Sequence, residues 1–289
     1  MVNPAHILQK IKIIATKYFQ HISNPNSIIW LNLQKVKLQI NLSVISNLFI
    51  RKIEQKFMEE LTTLTLFGIV MHHPVTVITD LMVSSVCFYA FYRLNKIKPF
   101  SKVIFYFKFY FLIMGIATAL GGVLGHGFIY AIPFAWKLPG WVTSMIAIMF
   151  IERAAIEHTR LILKPRIIKI LGILNILELL TFMSLTFYYL DFFFVEFHSG
   201  YGLMFVVLSL QLMLYLKTKN DASKTLLIAV GFAAIAALFF MTKPEIHKWF
   251  RYIDVSHVFM TISAWFFLSG ALKIDQLYKQ KKLQESISG

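Results

Sequence analysis

Apolar residues run in blocks along most of this chain, separated by short polar stretches rich in Lys and Arg. From Val75 onward each block approaches the roughly 20 residues that an α-helix needs to cross a hydrocarbon core. Seven such blocks can be drawn: Val75–Leu94, Tyr106–Ile132, Trp141–His158, Ile167–Leu190, Phe193–Leu216, Thr225–Met241 and Asp254–Leu272. The pattern predicts an all-α, polytopic membrane protein, a seven-transmembrane-helix bundle over residues 75–272. Ahead of it, Leu61–Met71 is apolar but short, and His72-His73-Pro74 ends it, because proline and the residue before it disfavour a continuing helix. Residues 58–74 therefore read as an interfacial lead-in, and 273–289 as a basic cytoplasmic tail.

Residues 1–57 follow another pattern. They are rich in Lys, Ile, Asn and Gln, and the longest apolar stretch, Ile28–Ile50, is interrupted by Lys35 and Lys37. No apolar core with a small-residue cleavage site follows the early lysines, which argues against a cleavable signal peptide. Two readings stand open: a basic N-terminal arm, amphipathic or disordered, or a stretch ahead of a true translation start at Met58.

Composition sharpens the membrane reading. Hydrophobic residues make up 57% of the 289, and the formal net charge of +15 is carried mostly by short loops. Loops of that kind set orientation by the positive-inside bias, so nucleic-acid binding is the weaker account of the charge and membrane lipids are the expected partners. Arg93, Lys96, Lys98 and Lys102, then Arg160, Lys164, Arg166 and Lys169, then Lys217, Lys219 and Lys224, and the tail lysines mark the cytoplasmic side. The loop with Asp191 and Glu196 and no Lys or Arg lies outside, which places the amino end outside and the carboxyl end inside. The Lys/Ile/Asn/Phe-rich composition leans towards a bacterial inner membrane. A single cysteine, Cys87, inside an apolar block excludes an intrachain disulfide and reads as a packed thiol.

The candidate chemistry centres on Leu120-Gly121-Gly122-Val123-Leu124-Gly125-His126-Gly127. An imidazole within a membrane-length segment is costly and usually faces a bundle interior or cavity. The pair Gly121-xxx-Gly125 has the small-residue spacing that lets a neighbouring helix come close. With the orientation above, Asp80 in the first span, His126 in the second, and Asp254 and His257 in the seventh share the outer layer. Thr76, Asp80 and Ser84 form one helical stripe, as do Asp254, His257 and Thr261. Two imidazoles and a carboxylate oxygen suit zinc, with a position left for water as in a hydrolase. The metal-ligand set is then His126, His257 and Asp80, with Asp80 or Asp254 as ligand or general base. An equally open reading has Asp80 hydrogen-bonding between helices, His126 held by a hydroxyl and Asp254 capping the last helix.

Other polar residues read as structural or peripheral. His73 could join the site or lie in a solvated turn. Glu178, near Asn175 and Thr181, reads as a polar contact between helices. Glu152, Arg153 and Glu157 read as a snorkelling interfacial group with an Arg153–Glu157 pair, and Glu196 and His198 as a solvated helix start or an entrance.

Seven spans, Thr79-Asp80 with Ser84 in the first, the glycine-rich approach to His126 in the second and His257 at the head of the last resemble the superfamily of alkaline ceramidases and progestin/adipoQ receptors. The likeness is to its bacterial ceramidase-like members and covers about Met71 to Ala271. It implies a seven-helix bundle with zinc held by histidines of the second and seventh helices, open to a lipid-accessible cavity, and hydrolysis of a lipid amide. The chain departs from that pattern in two places: Gly122-xxx-His126 stands where the family has Ser-xxx-His, and His257-xxx-Thr261 where it has His-xxx-His. Zinc would then need Asp80, Asp254 or His73 in place of a lost ligand. Two functions remain: a zinc-dependent lipid amide or ester hydrolase, or a non-enzymatic lipid-binding or sensing bundle.

Overall fold

A computed structural model describes residues 62–98 and 101–288; the basic arm over 1–57 and the alternative start at Met58 lie outside the described residues. Among the described residues, seven helices are long and apolar enough to cross a membrane: α1 (Pro74–Asn95), α2 (Lys102–Gly127), α3 (Phe134–Leu161), α4 (Pro165–Tyr189), α5 (Phe193–Thr218), α6 (Asp221–Thr242) and α7 (Tyr252–Gln280). The chain is thus an all-α, integral membrane bundle, as its hydropathy predicts. Ends extend past the apolar blocks because polar residues cap them. Ser101 Oγ accepts the Ile104 N–H at 3.2 Å, so α2 starts at Lys102 rather than Tyr106. Asn220 Oδ1 accepts the Ser223 N–H at 2.7 Å and starts α6 at Asp221. The helix of α7 runs on to Ser288, so the tail is helical as far as the structure describes it.

The outward surface is apolar. On α4, Ile170, Ile173, Leu174, Leu177 and Leu180 are each about half exposed, an apolar stripe suited to lipid chains. Inside, Cys87 and Leu94 of α1, Ile104, Phe107 and Phe111 of α2, Ile151 of α3, Leu226 of α6 and Phe267 and Ile274 of α7 are wholly buried in one core. Helix α1 packs against α2 and α7, α7 against α6, α2 against α3, and α3 against α4 and α5.

The lead-in is a β-hairpin. Strands β1 (Thr63–Leu66) and β2 (Ile69–His72) pair antiparallel with Thr63 opposite His72. Phe67 and Gly68, both at positive φ (52° and 79°), form the two-residue turn, and paired positive φ values match the right-handed twist of hairpin strands. Tyr130, just past α2, donates its hydroxyl to the Val70 carbonyl at 2.8 Å and lays its ring 4.7 Å from that of His72. The hairpin is thereby fixed against the end of the bundle that carries His126.

Two spans contain π-helical stretches: Gly121–Gly127 closes α2, and Gly202–Val207 lies within α5. Such bulges widen a helix by a residue and are frequent at functional sites. The close approach expected at Gly121-xxx-Gly125 falls elsewhere: a Cβ at Gly121 or Gly125 would meet nothing within 4 Å, whereas one at Gly122 would lie 2.7 Å from Asp80 Cβ. The π register turns Gly122 to α1.

Candidate functional site

Asp80 sits under two turns into α1, His126 in the last turn of α2 and His257 early in α7, so all three occupy the same end of the bundle. The structure brings them together. Asp80 Oδ1 lies 3.4 Å from His257 Nε2, and Asp80 Oδ2 lies 3.8 Å from His126 Nε2. The two rings are 6.4 Å apart at 65°, with the carboxylate between them. Asp80 and His257 are buried, while His126 keeps 27% of its side chain accessible.

The hydrogen bonds around Thr79 favour one tautomer of His257. Thr79 Oγ1 lies 3.0 Å from the Thr76 carbonyl, which can only accept, so the hydroxyl proton points there or to Asp254 Oδ1 at 3.5 Å. The 3.0 Å contact between Thr79 Oγ1 and His257 Nδ1 is then donated by the ring. In the neutral ring, Nε2 therefore presents a lone pair to the Asp80 carboxylate. Asp80 Oδ2 has no hydrogen-bond partner among the described residues. Acceptors facing one another at a buried carboxylate call for a proton or a cation between them.

Asp254 stands further back. Wholly buried, it accepts the Arg251 N–H on Oδ2 at 2.7 Å and takes Thr79 on Oδ1, the reciprocal half of a capping box at the start of α7. It thereby orients Thr79, and through Thr79 the His257 ring. Ser84 donates to the Gly115 carbonyl at 2.8 Å and ties α1 to α2. Thr261 donates to the His257 carbonyl within its own helix at 2.8 Å.

His73 is buried at the junction of β2 and α1, in left-handed backbone at φ 44°. Its amide donates to the Thr62 carbonyl at 2.7 Å. Burial, with the charges of Arg251 and His72 added, pushes its imidazole down from 6.5 to about 4. The native state thus holds His73 neutral while the unfolded chain takes up a proton below 6.5. Its stabilising contribution is complete above about pH 6.5 and is lost as pH falls through that window towards 4. We expect the pH dependence of thermal unfolding between 6.5 and 4 to flatten in His73→Asn, a residue that accepts the left-handed backbone; an unchanged profile would assign it to other groups.

A second polar cluster joins Glu178, expected as a contact between helices, to two groups that the sequence placed at the surface. Glu152, expected to snorkel, is wholly buried in α3 and accepts from Asn175 Nδ2 of α4 at 2.6 Å. His198, expected at a solvated helix start, is wholly buried and contacts Glu178 Oε1 at 2.9 Å and the Met145 carbonyl at 3.1 Å. Glu178 thus bridges helices as its position in α4 implied. The expected Arg153–Glu157 pair gives way to Glu157–Arg160, bidentate at 2.6 and 2.9 Å, while the Arg153 guanidinium lies against Gly172 of α4. Glu152 and Arg153 both turn towards α4, at Asn175 and Gly172, a tertiary placement that the i,i+4 rule does not convey.

No curated protein and no solved structure matches the chain. One family does, over residues 75–276, which run from the start of α1 into α7. The chain belongs to this family, DUF6962, a family of unknown function.

Proposed function

We propose that Asp80, His126 and His257 bind zinc and that the protein is a ceramidase-like membrane hydrolase acting on the amide or ester bond of a lipid. The observation that carries the reading is the spacing of Asp80 from the two imidazoles, 3.4 and 3.8 Å. These separations are long for hydrogen bonds; they run to the two different oxygens of Asp80, so zinc would draw the two rings in towards a tetrahedral edge of about 3.4 Å for bonds of 2.0–2.2 Å. The orphaned Asp80 Oδ2 and the lone pair of His257 Nε2 are the donor chemistry that such an ion requires. Bound zinc would polarise a carbonyl and acidify water in its open position. Asp80 supplies the oxygen that the absent second histidine, replaced by Thr261, would leave missing. Thr79 holds the tautomer of His257, and Asp254 holds Thr79, as groups behind metal-ligating histidines commonly do. His126, the most accessible of the three, marks the side from which a lipid carbonyl would enter. In the same reading the chain sits in a bacterial inner membrane with its amino end outside and its carboxyl end in the cytoplasm.

A non-enzymatic lipid-binding or sensing bundle is the second reading, favoured by Ser84, whose hydroxyl is spent on Gly115 rather than turned to the cluster. Proteoliposomes loaded with a ceramide and an ester lipid separate the two. The expected result is release of fatty acid, detected by mass spectrometry, that a chelator and His257→Ala both abolish. Zinc-loaded protein that releases none would leave the sensing bundle.

A further inference from the structure

We propose that Glu152 of α3, Glu178 of α4 and His198 of α5 form a second divalent transition-metal site, suited to zinc, in the half of the bundle that the first cluster does not use. One ligand atom from each residue lies within 4.8 Å of the others, a spread that an ion with bonds of about 2.0–2.2 Å can span.

The tautomer of His198 makes the argument specific. Its Nε2 lies 3.1 Å from the Met145 carbonyl. A carbonyl only accepts, so Nε2 carries the proton. In the neutral ring Nδ1 is then an acceptor, and it faces another acceptor, Glu178 Oε1, at 2.9 Å. A positive species, a shared proton or a cation that both atoms coordinate, resolves that pairing. A backbone carbonyl holding the far N–H is also the usual support of a metal-ligating histidine. Glu152 adds an independent sign. It is wholly buried; Asn175 donates to Oε2, no donor reaches Oε1 among the described residues, and its other close neighbour is the Glu178 carboxylate.

Charge and backbone agree. Two carboxylates and a dication sum to zero, which suits a cluster whose Glu178 lies near the middle of the membrane-length helix α4. The π-helical stretch Gly202–Val207 opens on a glycine whose Cβ would collide with Glu152 Oε1. Gly122 stands against Asp80 in the same way in the other π-helical stretch. In both clusters a widened helix and a bare glycine admit a buried carboxylate.

The test uses the full chain carrying His126→Ala and His257→Ala, so that the first cluster cannot contribute. The purified protein is stripped with chelator, dialysed against zinc alone, and read by metal content and thermal unfolding. We expect one zinc per chain and a rise in Tm on loading. Adding Glu152→Gln or Glu178→Gln should weaken zinc binding at least tenfold. A folded double variant that takes up no zinc, or whose Tm responds to pH but not to zinc, would overturn the proposal and assign the cluster a shared proton. Wild type and the double variant holding equal zinc would instead count against the first cluster and leave this one standing.

Discussion

Gly122→Ala is expected to destabilise the detergent-solubilised protein by about 1–3 kcal/mol, the usual cost of overpacking a filled interior. Gly121→Ala and Gly125→Ala should be neutral or slightly stabilising. All three glycines lie in one seven-residue π-helical stretch, and in a helix alanine is ordinarily favoured over glycine by up to about 1 kcal/mol. The difference comes from what a methyl group meets. At Gly121 and Gly125 it would meet nothing within 4 Å, whereas at Gly122 it would lie 2.7 Å from Asp80 Cβ. That atom is rooted on the α1 backbone and cannot swing aside, so α1 and α2 must separate and carry Asp80 away from His126. Thermal unfolding of the three variants checks this; equal midpoints would show that Gly122 is not the point of closest approach.

Asp80→Asn should have the opposite profile, with little loss of stability and a fall in zinc affinity of about 100-fold or more. Changing support behind a metal ligand already costs 10–100-fold, and Asp80 would itself be a ligand. The amide keeps the shape of the carboxylate beside Gly122. It also brings an NH2 group at one of the two oxygen positions, which can point at the Nε2 lone pair of His257 and satisfy it without a cation. A carboxylate that served only to tie helices would show the reverse, with metal content unaffected and stability lowered. Isothermal titration with zinc, alongside unfolding of the same preparation, separates the two profiles.

Much of this was legible in the sequence. A bilayer dictates about 20 apolar residues per helix, so the seven spans follow from hydropathy alone. The alternation of loop charge orders the helix ends, and that order alone puts Asp80, His126 and His257 in one layer. What stayed hidden is tertiary. Nothing in the glycine pattern says which glycine faces α1, because the π register rather than the expected helical one decides it. Glu152 stands beside Arg153 and so resembles an interfacial pair, yet the two face different neighbours, Glu152 meeting Asn175 and Arg153 meeting Gly172. His198, two residues after Glu196, shares a polar helix start with it but turns inward to Glu178. The hairpin ahead of α1 depends on Phe67 and Gly68 both at positive φ, and a phenylalanine does not advertise that.

Zinc per chain in the detergent-purified full-length protein, compared with His126→Ala and with His257→Ala, tests the central claim most directly. The account predicts that each variant, still folded, loses one equivalent of zinc relative to wild type. Wild type and both variants holding the same amount would contradict it, and would leave Asp80 and its two imidazoles as a polar tie between helices.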